Sequence, residues 1–171
     1  MNKQNTLSRR AFLRNSLGMV AAGAGTGLLA NSAVQAEGNG VFEVVKTEAE
    51  WKKQLGNARF LVLRKEDTER PFSSPLDKEK REGIFHCAGC DLAVYDSKTK
   101  YDSRTGWPSF YESLPNAIGT REDRRLIFSV RTEVHCRRCG GHFGHVFDDG
   151  PAPTGKRHCL NGLSLMFKPK A

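Results

Sequence analysis

Two equally spaced pairs of cysteines constrain the fold of this chain more than any other feature. Cys87 and Cys90 form one C-x-x-C pair, and Cys136 and Cys139 form a second. Each pair lets two thiolates converge on one cation from a tight turn, and four thiolates suit tetrahedral zinc. The pairs lie farther apart than the roughly 15 to 20 residues of a compact zinc ribbon. We therefore expect one structural zinc ion per chain that joins two distant strands.

Three other interpretations of these cysteines stay open at the level of sequence. Cysteines form disulfides in oxidising compartments, which apply here if the protein is exported as its first residues suggest below, and a C-x-x-C pair can also be a redox motif. Iron accepts the same four sulfur ligands as zinc. The paired spacing favours a metal site, and four cysteine ligands leave no open position on the metal for catalysis.

The first 36 residues have the composition of a targeting segment, with four basic residues and no acidic one. Arg9 and Arg10 precede a mildly apolar run over residues 17–30, and residues 34–36 form a small-residue cleavage site. This order resembles a twin-arginine export signal. It predicts cleavage after Ala36 and a periplasmic or otherwise exported protein. The apolar run is shorter than the roughly 20 residues of a membrane span, so we expect no stable membrane anchor after cleavage.

Residues 37–171 are long enough for one domain with a hydrophobic core. Removing the four cations of the leader lowers the formal net charge from +8 to +4, and no acidic residue is lost with them. The sequence has no dense run of Lys and Arg interleaved with aromatic residues, the pattern that follows a phosphate backbone. The composition therefore argues against nucleic-acid binding.

Local patterns predict a mainly β domain with one short helix. Thr47 and Glu50 have the spacing of a capping box, and Gly56 is expected to end the helix that they begin. Residues 68–80 are rich in Pro, Ser and charge, which predicts an irregular segment. Apolar or alternating segments predict strands at residues 58–63, 84–85, 92–95, 126–135 and 163–167. No alternating βαβ units are visible.

Cys159 is the one cysteine left after four are assigned to the metal. A lone cysteine often packs in the core as a small hydrophobic residue and has no chemical role. Arg157 and His158 can favour the thiolate, which is the nucleophilic form of cysteine. His142 and His145 lie beside two acidic residues in a glycine-rich stretch that allows close approach of backbones. Each histidine alone is ordinarily structural, but together they form a candidate site with Cys159.

Several long segments in the same order resemble the methionine-R-sulfoxide reductases, the MsrB family. They are residues 68–72, 106–110, 131–134, 144–151 and 157–161, together with both cysteine pairs. The resemblance covers nearly all of residues 37–171. It implies two twisted antiparallel sheets and a zinc site far from the active site that serves stability. It also implies reduction of the R epimer, but not the S epimer, of methionine sulfoxide in oxidised proteins.

The resemblance further implies a role for each matched residue. As a thiolate, Cys159 attacks the sulfoxide sulfur, which releases methionine and leaves a sulfenic acid. The sulfoxide oxygen is bound and polarised, directly or through water, by His142, His145 and Asn161. The substrate-binding residues are Trp107, which packs on the methyl group, and Arg157 and Asp149, which support the site electrostatically. Trp107 alone would be taken for a core residue.

The sequence departs from the family pattern at three positions. Many members carry a resolving cysteine just before the 106–110 segment, where this chain has Thr105. We therefore expect an external reductant, either a thioredoxin-like protein or a small thiol, to reduce the Cys159 sulfenic acid directly. His158 and Gly162 replace the more usual Tyr and Ser, and these changes bear on the rate and on the preferred reductant.

Two other functions fit parts of the sequence. A zinc-ribbon-like binding module would use the four-cysteine site to shape a surface, with Cys159 inert. A Cys-His hydrolase would use the same nucleophile but also needs an oxyanion hole and a base oriented by a third group. Reaction with a sulfoxide, as opposed to an ester or amide, separates these functions from the reductase.

Overall fold

A computed structural model describes residues 42–126 and 129–171. The predicted leader and its cleavage site lie outside the described residues. Within them, helix α1 spans Glu48–Lys65 and precedes nine strands. The strands are β1 Gly83–Cys87, β2 Ala93–Asp96, β3 Lys100–Tyr101, β4 Ser109–Phe110, β5 Ile118–Leu126, β6 Ser129–Cys136, β7 His142–Phe147, β8 Arg157–Leu160 and β9 Leu165–Pro169. Short 3-10 turns cover Pro75–Asp77, Ser97–Thr99 and Gly162–Ser164.

The strands form two antiparallel sheets. Three strands in the order β2-β1-β9 make the small sheet, and six in the order β3-β4-β8-β7-β6-β5 make the large one. The predicted mainly β class with two antiparallel sheets and an N-terminal helix is confirmed. The helix packs against β7 and against the Gly162–Ser164 turn. Most of the buried core side chains come from the helix and both sheets, including Trp51, Leu63, Phe85, Tyr95, Phe110, Val134, Phe143 and Leu165.

Helix α1 begins as predicted but does not end where predicted. The Thr47 hydroxyl accepts a hydrogen bond from the Glu50 backbone N–H, and the Glu50 side chain accepts one from the Thr47 N–H, which completes the capping box. Gly56 interrupts the helix with φ 70° and ψ 170°, but the chain then resumes its helical path to Lys65. The strand predicted over residues 58–63 is therefore wrong. A short apolar run fits a buried helical turn as well as a strand, and here Phe60 and Leu63 bury one side of the helix.

Most of the other predicted elements are confirmed with shifted ends. The predicted strands at residues 84–85 and 92–95 are β1 and β2. The strand predicted over residues 163–167 begins at Leu165, because Gly162–Ser164 form a 3-10 turn. The strand predicted over residues 126–135 is β6, which begins at Ser129, whereas Leu126 ends β5. Residues 68–80 are irregular as predicted, apart from the turn at Pro75–Asp77. No helix of the described residues is long and apolar enough to cross a membrane.

Candidate active site

The four paired cysteines meet in one cluster. Their Sγ atoms all lie within 4.8 Å of one another. Cys87 and Cys139 have an Sγ–Sγ distance of 3.7 Å, and Cys90 and Cys136 one of 3.5 Å. Four Zn–S bonds of about 2.3 Å in a tetrahedron place sulfurs about 3.8 Å apart, whereas a disulfide bond is about 2.05 Å long. The geometry therefore fits a four-thiolate metal site and not a pair of disulfides.

The surroundings of the cluster suit a metal with four thiolate ligands. Such a centre carries two net negative charges when the metal is divalent. The Arg64 guanidinium donates to the carbonyl of Cys139 at 2.8 Å, and that of Arg138 donates to the carbonyl of Cys90 at 3.3 Å. The two cations thus sit against the ligand residues and offset the charge. Each sheet supplies one pair, because Cys87 ends β1 and Cys136 ends β6.

Cys159 lies on β8 in the wall of a small cavity. The cavity has a volume of about 150 Å³, and its lining includes Trp107, Arg131, His145, Phe147, Cys159 and Asn161. A larger cleft of about 540 Å³ lies over Leu76 and Phe167, but it does not include Cys159. The structure thus brings together four of the predicted site residues in one wall. His142 is buried behind His145, with 5.5 Å between the ring centroids.

A row of cross-strand partners explains why the site lies on this sheet. In register across the large sheet, Ser109 pairs with Cys159, Cys159 with His145, and His145 with Glu133. Directly opposed residues of an antiparallel pair project from the same face. The row therefore places the thiol beside the imidazole although their strands are separated by a long loop.

A bulge in β7 brings the second histidine to the same place. Residues three apart in a regular strand point to opposite faces, so His142 and His145 would diverge. Between β6 and β7 the register passes from Val134 opposite Gly144 to His135 opposite His142, which leaves Phe143 as an extra residue. Bulges redirect side chains in this way, often near active sites. As a result, His142 points to the same face as His145, and its Nδ1 lies 2.6 Å from the carboxylate of Glu133, the cross-strand partner of His145.

Buried carboxylates fix both imidazole rings. His145 Nε2 lies 2.8 Å from the Asp123 carboxylate. Hydrogen bonds from Arg125 hold the pKa of Asp123 far below its usual range, so this carboxylate stays ionised and accepts the Nε2–H. Burial lowers the pKa of His145 despite the Asp123 charge, which favours the neutral ring with Nδ1 as its free nitrogen. Burial raises the pKa of Glu133, but bonds from the neighbouring histidines outweigh it and the net shift is downward.

The surroundings of Cys159 differ from the sequence-based expectation. Burial raises the pKa of its thiol, and the opposing effects of Thr105 and Arg157 do not cancel that rise. Burial and the Lys156 charge lower the pKa of His158 to about 4, so this ring is neutral at neutral pH and adds no charge. Its Nδ1 lies 2.9 Å from the Tyr95 hydroxyl.

The polar atom paired with the Cys159 Sγ is the Thr105 hydroxyl, 3.9 Å away. Among the hydrogen bonds of the described residues, none joins this sulfur to a histidine ring. A Cys-His hydrolase needs such a pair, so the observed geometry disfavours that function.

Trp107 and Asn161 are held by the same backbone segment. Trp107 donates its indole N–H to the Glu69 carbonyl at 3.1 Å. The Asn161 side-chain oxygen accepts from the Glu69 N–H at 3.0 Å, and its amide nitrogen donates to the Phe143 carbonyl at 3.0 Å. One amide N–H of Asn161 stays available, because the NH₂ group carries two donors.

Arg157 and Asp149 lie behind the cavity wall. The guanidinium donates two hydrogen bonds to the Asp149 carboxylate, both at 2.8 Å, and it stacks on the Phe147 ring at 4.4 Å. Phe147 lines the cavity, whereas Arg157 and Asp149 are not among its lining residues. Arg157 therefore contacts the cavity lining through Phe147, and its charge also opposes the rise in the pKa of the Cys159 thiol.

The sequence matches a known enzyme family over the segments that build both sites. The family model of the SelR domain matches residues 55–169. The peptide methionine sulfoxide reductase MsrB of Methanosarcina barkeri is 50% identical over 125 residues, which are 73% of this chain and 88% of that protein. The chain belongs to the MsrB family of peptide methionine sulfoxide reductases. The MsrB of Pseudomonas entomophila is 46% identical over 128 residues, 75% of this chain and 98% of that protein. The chloroplastic reductase B1 of Arabidopsis thaliana is 47% identical over 119 residues, 70% of this chain and 59% of that protein.

Three acidic residues of this MsrB-family site were missed by reasoning from the sequence. Glu69 accepts hydrogen bonds from the backbone N–H groups of Gly162 and Leu163, next to Asn161. Asp123 and Glu133 orient the two histidines. Glu69 and Glu133 lie in segments that carried the family resemblance, which is the signal that could have found them. Asp123 lies outside every such segment, and only the strand register shows its role.

Proposed function

We propose that this MsrB-family protein reduces the R epimer of methionine sulfoxide in oxidised proteins, with Cys159 as its nucleophile. One observation carries this proposal: the Cys159 thiol lines a small cavity, in cross-strand register with His145 and with Trp107 in the same wall. A half-buried sulfur nucleophile, a polar ring and an apolar indole suit a substrate with one polar oxygen and one methyl group on sulfur.

The reaction balances with the groups that line the cavity. The Cys159 sulfur, as thiolate, attacks the sulfoxide sulfur, and the proton that the thiol lost ends on the sulfoxide oxygen. The sulfur–sulfur bond formed by this attack and the sulfur–oxygen bond of the substrate then break, and the protonated oxygen is transferred to the Cys159 sulfur. Methionine leaves, and Cys159 is oxidised to a sulfenic acid. The expelled product is an apolar thioether, which suits the Trp107 wall.

The oxygen-binding roles follow from the free polar atoms. His145 has Nδ1 free once Nε2 bonds to Asp123, and Asn161 has one free amide N–H. We assign these two residues to the sulfoxide oxygen, with a water between oxygen and imidazole when the ring is neutral. His142, which is buried behind His145, supports the position of the His145 ring. Arg157 packs on Phe147 and places a positive charge near the thiolate, and Asp149 orients the Arg157 guanidinium.

Thr105 determines how the enzyme is regenerated. A thiol attacks the sulfenic acid, releases water and leaves a mixed disulfide on Cys159, and a second thiol equivalent then restores Cys159. We infer that both come from outside the chain, from a thioredoxin-like protein or a small thiol. Mass spectrometry of turnover mixtures should find Cys159 bonded to the reductant. Finding it bonded to any of the four clustered cysteines would overturn this inference.

We infer that the four-cysteine cluster holds one zinc ion with a structural role. Its four donors leave no position for substrate. We also propose that residues 1–36 direct the folded, metal-loaded protein out of the cytoplasm. Outside the cytoplasm it repairs oxidised exported proteins. A double change of Arg9 and Arg10 to Lys should retain the protein in the cytoplasm at full length. Unchanged export would contradict a twin-arginine route.

The decisive experiment supplies dithiothreitol with resolved R and S epimers of N-acetyl-methionine sulfoxide amide. The wild type should reduce the R epimer only, and Cys159→Ser should lose that activity while keeping its metal content and melting temperature. A folded, metal-loaded wild type that reduces neither epimer would make the binding-module function the leading one.

A further inference from the structure

Phe72 is an exposed aromatic residue close in the chain and in space to residues that line the catalytic cavity. Its side chain is 65% exposed, although large apolar side chains of the described residues are mostly buried. Thr68, four residues earlier, and Trp107 both line the cavity. The Phe72 N–H donates to the carbonyl of Gly106, the neighbour of Trp107, at 2.7 Å. The backbone of Phe72 is therefore bonded to the residue that precedes Trp107 in the cavity wall.

The backbone of Phe72 has a conformation that disfavours a bulky residue. Its φ is 63°, in the left-handed region, where Asn or Gly would be less strained. Gly106 has φ 89°, and a Cβ on it would lie 2.9 Å from the Phe72 ring and 2.8 Å from the Phe72 nitrogen. The ring is thus seated on Gly106. Strained backbone of this kind clusters at ligand contacts, and an exposed phenyl ring does not offset the strain by burial.

The size of the cavity implies that much of a protein substrate lies outside it. A cavity of about 150 Å³ accommodates a molecule about as large as benzene. It has room for one methionine sulfoxide side chain and not for the backbone that carries it. Consecutive residues of an extended chain are about 3.3 Å apart, so the residues next to the oxidised methionine must lie on the rim.

We propose that Phe72 binds an apolar side chain adjacent to the methionine sulfoxide in an extended polypeptide segment. This proposal deepens the proposed function and rests on it, because it names the substrate class of the same cavity. The substrates it favours are oxidised methionines in unfolded or mobile segments with apolar neighbours. Such segments arise when oxidation makes a core methionine polar and disrupts its packing. The rim contact adds nothing for the short blocked amino acid.

The test compares three substrates that differ only beside the reacting sulfur. They are N-acetyl-methionine-R-sulfoxide amide, a blocked pentapeptide with leucine on both sides of the sulfoxide, and the same pentapeptide with glycine on both sides. The full-length protein is assayed with dithiothreitol as wild type, Phe72→Leu, Phe72→Asn and Val45→Ala. Val45 is 77% exposed and, unlike Phe72, makes no backbone hydrogen bond in the described part of the chain to the segment that carries Trp107, which makes it a matched control for loss of exposed apolar surface.

We expect the wild type to prefer the leucine peptide to the glycine peptide by about fivefold in kcat/KM, mainly through KM. Phe72→Asn should abolish this preference while leaving the short amide unchanged, and it should not lower the melting temperature, because Asn tolerates the left-handed backbone. Phe72→Leu should keep part of the preference, and Val45→Ala should keep all of it.

The inference is wrong if the wild type reduces the short amide but shows no leucine preference, or if the preference survives in Phe72→Asn. An equal loss for all three substrates in Phe72→Asn would assign Phe72 to the catalytic geometry and also overturn it. Failure of the wild type on every substrate, including the short amide, would instead remove the proposed function itself.

Discussion

Thr105 belongs to a chain of hydroxyl groups beside Cys159, the proposed nucleophile. Its Oγ1 lies 3.9 Å from the Cys159 Sγ and 2.8 Å from the Ser103 hydroxyl, which lies 2.7 Å from the Ser109 hydroxyl. A hydroxyl that donates to sulfur stabilises the thiolate over the thiol. Burial raises the pKa of Cys159, and the Thr105 hydrogen bond opposes that rise.

We predict that Thr105→Val moves the pH midpoint of Cys159 alkylation upward, because the variant keeps the shape of Thr105 but loses the hydroxyl. At neutral pH, kcat/KM should fall about fivefold, as for the loss of one hydrogen bond. Iodoacetamide labelling across pH, read by mass spectrometry at Cys159, gives the midpoint. Thr105→Ser should behave as the wild type. Identical midpoints for Thr105→Val and wild type would show that the hydroxyl does not act on the thiol.

His158, the neighbour of Cys159, makes the stability of the protein depend on pH. Its native pKa is about 4 because of burial and the charge of Lys156, whereas an unfolded histidine titrates near 6.5. Between these values the unfolded state binds more protons, so stability rises with pH across the window and is lost as pH falls from about 6.5 to 4. Tyr95, which contacts the ring, is buried and its pKa is raised, so it stays protonated.

We predict that His158→Asn removes this acid sensitivity, since Asn places an oxygen near Nδ1 to accept from Tyr95. From pH 7 to pH 4 the wild type should lose on the order of 2 kcal/mol more unfolding free energy than the variant. Urea unfolding at a series of pH values measures the difference. Parallel pH profiles for the two proteins would show that His158 is not the responsible group.

At the scale of the element, β7 and β8 approach each other so closely that only glycine fits at residue 144. A Cβ built on Gly144 would lie 2.1 Å from the Cys159 carbonyl oxygen. Gly144→Ala must therefore separate the two strands at Cys159. We predict a loss of about 1 to 3 kcal/mol in stability and of about 100-fold in kcat/KM, because displacements near 1 Å carry such costs.

Gly155→Ala is the matched control for this substitution. Gly155 also has a positive φ, 69°, but nothing lies within 4 Å of the position its Cβ would take. It should lose about 1 to 2 kcal/mol to backbone strain and keep its kcat/KM. Melting temperatures and initial rates distinguish the two variants. Equal activity in both would mean that the β7–β8 spacing does not position Cys159.

Features set by residues close together in the sequence could be predicted. Features set by the register between paired strands could not. The capping box at Thr47 and the cysteine pairs are set by residues a few positions apart. The strand prediction for residues 58–63 is wrong because their apolar side chains fit a strand as well as the buried side of α1. The bulge at Phe143 exists only in the register between β6 and β7. Asp123 reaches His145 through that same sheet, so its role also needs the fold.

At the scale of the whole molecule, the cysteine cluster joins the two sheets. One pair follows from β1 in the small sheet and the other from β6 in the large sheet. Three of the four cysteines belong to the hydrophobic core cluster, and the fourth packs against it. Without a metal, four thiols would be crowded together in the core. A metal adds bonds between the two sheets, which otherwise meet through side-chain packing. The expected role of the metal is therefore to hold the sheets together. It affects β8 and Cys159 only by stabilising the folded domain.

We predict that the purified protein contains one zinc ion per chain and that Cys136→Ser loses it. Structural zinc contributes about 10 to 16 kcal/mol of apparent binding free energy in small domains, and whole domains are stable by only about 5 to 15 kcal/mol. Loss of the metal should therefore unfold the protein or lower its melting temperature sharply. Cys159→Ser removes a thiol without touching the cluster, and it should match the wild type in zinc content and melting temperature. Elemental analysis and circular dichroism give both quantities. A metal-free Cys136→Ser that melts with the wild type would show that packing alone holds the sheets together.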